Sequence, residues 1–200
     1  DFIDLTEEEL IEYRKITRKM MIFYDKTKSA QNDIRFLRQA NLRAQIIKTA
    51  YNKINAFEEL VRKLEFNLNG GFVFCGNKKF LERIQDILKK HEMRYRRFIA
   101  EEETGDRKEI IAKFKNKRLD AIAAIDCLDE GIDIPTAETA ILLSSSSNSK
   151  QYIQRRGRVL RIPKENKDKV AKIYDFVCIP PIDDKSTFLM EQSIIAKQLK

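Results

Sequence analysis

Four arginines crowd into residues 155 to 161: Arg155, Arg156, Arg158 and Arg161. Gln154, Arg158 and Arg161 stand at i, i+4 and i+7 around Gly157, whose missing side chain keeps one face clear. On a helix these three project to the same side. Guanidinium groups held in that way suit two-pronged contact to phosphate oxygens, and they cannot lose their charge. A solvated basic helix is the competing reading. Upstream, an acidic turn built on Asp129, Glu130 and Gly131 and closed by Pro135 follows a short apolar run. Charged loops that follow buried strands are where an open α/β sheet keeps its ligand site. With an arginine segment after one strand and an acidic glycine turn after its neighbour, the solvated helix is the poorer reading.

Other chemistries lack their residues. The chain has six glycines, and none opens G-x-x-x-x-G-K-[ST], so the phosphate-cradling loop of nucleotide hydrolases is missing. His91 is the single histidine, so no Ser-His-Asp set can be built, and H-E-x-x-H does not occur. His91 follows Lys89 and Lys90 at a helix end, where the helix dipole accounts for it. The adjacent carboxylates Asp129-Glu130 and Asp183-Asp184 show no division into acid and base. No metal site is expected within the chain. Cys75, Cys127 and Cys178 lie too far apart for a zinc signature and read as small core residues in or beside strands. The residues present make half of an active site.

The elements that must position that half can be read in order. Leu119 to Ile125 and Thr139 to Leu143 are short apolar runs bounded by charge or turn residues, as fully buried strands are. Phe72 to Cys75 predicts another strand, which Gly76-Asn77 turns into a helix carrying Phe80, Leu81, Ile84, Ile87 and Leu88 on one face. Lys78 and Lys79 at that helix start oppose the dipole, which suits either an anion or simple solubility. Residues 94 to 100 and 170 to 177 predict two further strands, and Thr104 to Arg107 opens a helix with Ile110, Ile111 and Phe114 inward. The alternation from 71 to 178 implies a parallel sheet covered on both faces. Before it, residues 1 to 69 read as an all-helical arm that opens on a capping box, Thr6 with Glu9, with a possible break near residues 39 to 44. Its apolar stripe through Ile46, Ile47, Ala50, Ile54, Phe57, Leu60, Val61 and Leu64 is expected to pack on the sheet domain. Ser186 to Leu199 predicts a C-terminal amphipathic helix.

Composition sets the outer bounds. At 42% hydrophobic and 35% charged residues the chain can fill a core and stay soluble. No apolar run approaches the ~18 residues of a membrane span, and the start D-F-I-D-L-T is no signal peptide. A cytoplasmic setting and a cut inside a longer chain are the expectations. A net charge of +8 permits a polyanionic partner, nucleic acid first.

Here the motifs acquire a family likeness. Q-R-R-G-R-V-L-R at 154 to 161 resembles motif VI of superfamily II helicases, and C-L-D-E-G-I-D-I-P at 127 to 135 resembles their motif V, at similar spacing. G-F-V-F-C-G at 71 to 76 is similar to motif IV, and T-G-D-R-K-E-I-I-A-K-F at 104 to 114 to the helix before motif V. The arm, with L-T-E-E-E-L-I-E-Y and R-A-Q-I-I-K-T-A-Y-N-K, is similar to the helical connection of the branch holding repair helicases and type III restriction subunits. One departure is Ile125, where many relatives carry threonine.

The resemblance implies a RecA-like α/β domain, the second of two, with ATP and its Mg²⁺ in the cleft between them. The first domain, outside this chain, would supply the P-loop and hold the Mg²⁺. Arg158 and Arg161 would be arginine fingers on the γ-phosphate and Gln154 would sense the same group. Gly131, Asp133 and Gly157 would lie on the nucleotide side, and Gly76, Asn77, Lys78 and Thr104 would touch a nucleic-acid strand, DNA rather than RNA. The division expected is an arm over 1–69, the RecA-like domain over 70–182 and a terminal helix over 183–200. The function expected is the C-terminal motor domain of an ATP-dependent helicase or translocase. Two alternatives stay open: an inactive nucleic-acid-binding or regulatory module with the same fold, and an interaction protein built on the arm.

Overall fold

A computed structural model of the protein describes residues 2–27, 34–68, 70–99, 103–125, 137–144 and 172–178. The first helix, α1 (Glu7–Thr27), begins at the box the sequence predicts. Thr6 N donates to Glu9 Oε2 at 3.0 Å and Glu9 N donates to Thr6 Oγ1 at 3.3 Å. Its buried residues Tyr13, Ile16 and Met20 recur at helical spacing. The second helix, α2 (Ile34–Lys48), runs unbroken through residues 39 to 44, where a break was expected. Arg43, in that stretch, is buried with its guanidinium carbon 5.4 Å from the centre of the Tyr13 ring, so the polar residue joins the packed face instead of ending the helix.

The break falls at Thr49 to Tyr51, before α3 (Asn52–Lys63). Gln45 O accepts from both Thr49 N, at 3.0 Å, and Thr49 Oγ1, at 2.9 Å. Tyr51 N then leaves the helical ladder and donates to Glu9 Oε1 at 2.9 Å. One carboxylate thus serves the start of α1 with one oxygen and the start of α3 with the other. Asn52 Nδ2 adds a bond to Asp4 O at 2.9 Å.

Five strands form one parallel sheet: β2 (Gly71–Cys75), β3 (Tyr95–Phe98), β4 (Ala121–Ile125), β5 (Thr139–Leu142) and β6 (Lys172–Asp175), in the order β3-β4-β2-β5-β6. β2 sits at the centre with all five residues buried, pairing Gly71 with Ala121 on one side and Thr139 on the other. A strand flanked on both edges and both faces must be apolar throughout, which is why G-F-V-F-C shows no polar alternation. Helices α4 (Lys78–Lys90) and α5 (Thr104–Lys115) connect β2 to β3 and β3 to β4 and flank the sheet. The last predicted strand is broken in two. Phe176 is buried and its N donates to Leu142 O, after which Val177–Cys178 forms β7 and pairs in parallel with β1 (Phe2–Ile3). Among its described residues the arm thus carries, besides its three helices, this two-residue strand, too short to show a period in the sequence.

One apolar core joins the strands to α4, α5 and the arm's third helix, whose Phe57, Leu60 and Val61 are buried in it. Full burial of each such side chain stabilises the fold by about 2 kcal/mol, so α3 is fastened to the sheet as the stripe predicts. A second cluster, Tyr13, Ile47, Ala50 and Cys178, ties α1 and α2 to β7. Among the described residues no helix is long and apolar enough to cross a membrane.

Candidate functional site

In a parallel sheet every strand delivers its following loop to the same edge. Cys75, Phe98, Ile125 and Leu142 end their strands there: Cys75 pairs with Ile125, and one residue earlier Phe98 pairs with Ala124 and Leu142 with Phe74. The chain therefore passes from that edge into residues 126 onward after β4 and 145 onward after β5. Gly131, Asp133, Gln154, Gly157, Arg158 and Arg161 lie outside the described residues.

The structure brings together three of the residues expected to touch a strand. Asn77, extended at φ −161° and ψ 174°, caps α4, its side-chain oxygen accepting from Phe80 N at 2.8 Å. That bond satisfies one of the free N–H groups of the helix start. The side-chain amide N–H groups of Asn77 are the donors that remain for a phosphate while the oxygen stays in the cap. Lys78 and Lys79 follow, both exposed, in a first turn that contains no acid. Positive charge from the side chains adds to that of the helix end, a combination that suits an anion. Gly76 is small for a packing reason. A Cβ there would stand 3.0 Å from both Ser144 Oγ and Thr49 Cγ2. The end of β5, the end of β2 and the turn between α2 and α3 therefore touch at this glycine. Thr104 opens α5, beyond the end of β3 on the same edge.

A residue the motifs do not include holds this edge from below. Lys53 of α3 is 2% exposed and donates to Leu143 O at 2.9 Å, one residue past β5. Burial lowers its pKa to about 8, while Cys178, Asp175 and Glu9 favour its charged form and limit the fall. The signal was present in the sequence: Lys53 stands inside the apolar stripe, three residues after Ala50 and four before Phe57. A cation at a stripe position must either reach water or find a buried acceptor, and here it finds the carbonyl.

The single histidine has a partner as well as a dipole. His91 caps the C-terminal end of α4, and its Nε2 is 2.9 Å from Glu58 Oε1. The same oxygen accepts from Lys90 Nζ at 2.8 Å and from the Arg62 guanidinium at 3.0 Å. The Lys90 bond first and the His91 bond second pull the Glu58 carboxyl down to about 2. Phe66 stacks on the imidazole with ring centres 4.8 Å apart. This clasp between α3 and α4 joins residues more than thirty apart in sequence, which no local pattern reveals. It is structural, as is Cys75, whose thiol burial pushes far above the ordinary range. Among the described residues no three His, Cys, Asp or Glu side chains converge as metal ligands do.

Known proteins resemble this chain. The model of the helicase conserved C-terminal domain matches residues 52–163. The chain is similar to the DNA 3'-5' translocase XPB2 of Sulfurisphaera tokodaii, 27% identical over 198 residues that cover 88% of this chain and 42% of that protein. It is also similar to the UvrABC system protein B of Methanosarcina mazei, 30% identical over 106 residues, 50% of this chain and 16% of the relative. The chain spans less than half the length of either relative. Among solved structures, the C-terminal domain of the DEAD-box protein Dbp5 has a TM-score of 0.56 at 22% identity, covering 74% of this chain and 79% of that one. The C-terminal part of the Fun30 ATPase domain has a TM-score of 0.56 at 13% identity, covering 95% of this chain and 75% of that one. At such identities these two likenesses speak for the RecA-like fold alone. With a five-stranded parallel sheet, a motif-bearing edge and a family match over more than half its residues, the chain belongs to the helicase conserved C-terminal domain family, the superfamily II type that its motifs resemble.

Proposed function

We propose that the chain is the C-terminal motor domain of an ATP-dependent helicase or translocase acting on DNA, with ATP and Mg²⁺ held between it and an N-terminal RecA-like domain of the same protein. Arg158 and Arg161 act on the γ-phosphate, Gln154 senses it, and Gly131, Asp133 and Gly157 line the nucleotide side. Gly76, Asn77, Lys78 and Thr104 face the nucleic-acid backbone. The arm over 1–69 connects the two motor domains, the RecA-like domain covers 70–182, and residues 183–200 form a terminal helix. ATP supplies the free energy of movement.

One observation carries most of this reading. Strands β2, β4 and β5 are adjacent and parallel, so the segments that begin at 126 and 145 start from the same edge as Gly76 to Lys78. A nucleotide-driven change in one loop then has a short mechanical route to the other. The choice of DNA is supported by the similarity to a DNA 3'-5' translocase. It is tested by steady-state ATPase of the full-length protein with single-stranded DNA, single-stranded RNA or neither. Stimulation by DNA and little by RNA is the expected result; stimulation by RNA alone overturns the assignment.

A further inference from the structure

The opposite end of the sheet holds a second concentration of positive charge. A cleft of about 740 Å³ opens where β3 begins, bordered by the end of α4, the end of α5 and the turn before β4. Six cations line it: Lys89, Arg94, Arg96, Arg97, Lys113 and Arg118, and no carboxylate is among the lining residues. Two of them are engaged in ion pairs. Arg94 grips Asp120 through Nε at 3.1 Å and NH2 at 2.5 Å, which pins the turn before β4 to the start of β3. Lys113 pairs with Glu109 at 2.6 Å along α5. Lys89, Arg96 and Arg118 are exposed, and none of the three pairs with a carboxylate among the described residues. Arg96 donates to its neighbour's carbonyl, Tyr95 O, at 3.2 Å, and acts at longer range on Glu109 of α5.

Arginine on an edge strand is a known guard against pairing with other sheets, and β3 is an edge. That accounts for Arg96 and Arg97 but not for Lys89 on α4 or Arg118 before β4, which reach the same cleft from other elements. Like charges gathered in a concavity repel one another and focus their field outward, an arrangement that a polyanion relieves.

We propose that this cleft is a second nucleic-acid contact, which grips the sugar–phosphate backbone of a segment separate from the one at the motif-bearing edge. The inference rests on the proposed action on nucleic acid. The contact lies at the N-terminal ends of the strands, while Gly76 to Lys78 lie at the C-terminal ends, so one chain can hold two parts of a branched or bent substrate.

The test is fluorescence anisotropy of the 200-residue chain with labelled duplex and labelled single-stranded DNA across a salt series. The variant Lys89→Gln/Arg96→Gln/Arg118→Gln removes three exposed charges, and a control, Arg18→Gln/Lys19→Gln/Lys63→Gln, removes three from α1 and α3. The cleft variant is expected to lower the slope of log affinity against log salt by about 2 to 3 for one or both probes, as the loss of that many phosphate contacts requires. The control should leave it unchanged. Wild-type slopes in the cleft variant, or equal losses in both variants, overturn the inference; if Lys78→Gln still weakens single-strand binding, the proposed function stands without it. Binding of labelled polyglutamate in the cleft without binding of DNA also overturns it and marks a docking surface for an acidic protein. Failure of the wild-type chain to bind any nucleic acid overturns the proposed function itself.

Discussion

Arg161→Ala in the full-length protein is expected to lower ATP turnover by about 10³ to 10⁵, the range measured for arginine fingers in other phosphoryl-transfer enzymes. The size follows from where the charge acts. A guanidinium aimed at the γ-phosphate meets more negative charge in the transition state than in bound ATP, so its loss falls on turnover and largely spares binding. A fluorescent nucleotide should therefore bind the variant nearly as it binds the wild type, while steady-state ATPase with saturating DNA collapses. Arg161→Lys keeps the charge but not the planar fork, and should recover only part of the rate. Retained ATPase in Arg161→Ala would remove Arg161 from the chemistry.

The second large effect concerns Lys53, and it depends on pH. The pKa of this lysine falls from 10.5 to about 8 because its ammonium is buried. Between these values the unfolded chain still holds the proton and the folded one has released it, so wild-type stability rises with pH across that window. At lower pH both states are protonated and the cost of burying the charge is fully present. At pH above 10.5 that cost is gone, while a neutral amine still donates to Leu143 O. Lys53→Met cannot titrate and leaves the carbonyl without its donor. Relative to wild type it should become more destabilising by about 3 kcal/mol in total as pH rises from about 8 to 10.5. Urea midpoints of both proteins through that range read the difference. A pH-independent gap would mean that the amine is hydrated in the folded protein.

Much of the sheet was legible because burial on both faces leaves no choice of residue. G-F-V-F-C, A-I-A-A-I and T-A-I-L are the three central strands, and their apolar runs say so directly. Helix starts were legible where a cap marks them, at Thr6 and at Asn77. Of the helix ends, that of α4 was legible, at Lys89, Lys90 and His91. α3 and α5 close with turns whose left-handed residues are Glu65 and Phe66, at φ 51° and 59°, and Lys117, at φ 55°, where a glycine would have signalled the end. The arm's break was misplaced because Tyr51 leaves the ladder for Glu9, a partner 42 residues away.

The supports of the candidate site were not legible. Gly76, Asn77 and Lys78 lie just past β2, and the packing of Gly76 on Ser144 and Thr49 is visible only in three dimensions. Lys53 was discoverable, since a lysine in an apolar stripe demands a buried acceptor.

The proposed division of labour between two motor domains can be measured directly. The chain has no P-loop among its six glycines, so on the proposed reading it can act on a phosphate but cannot hold one alone. Purified side by side with the full-length protein, the 200-residue chain should show no DNA-stimulated release of phosphate from ATP at any DNA concentration, while the full-length protein does. DNA-stimulated hydrolysis by the chain alone would contradict a shared ATP site.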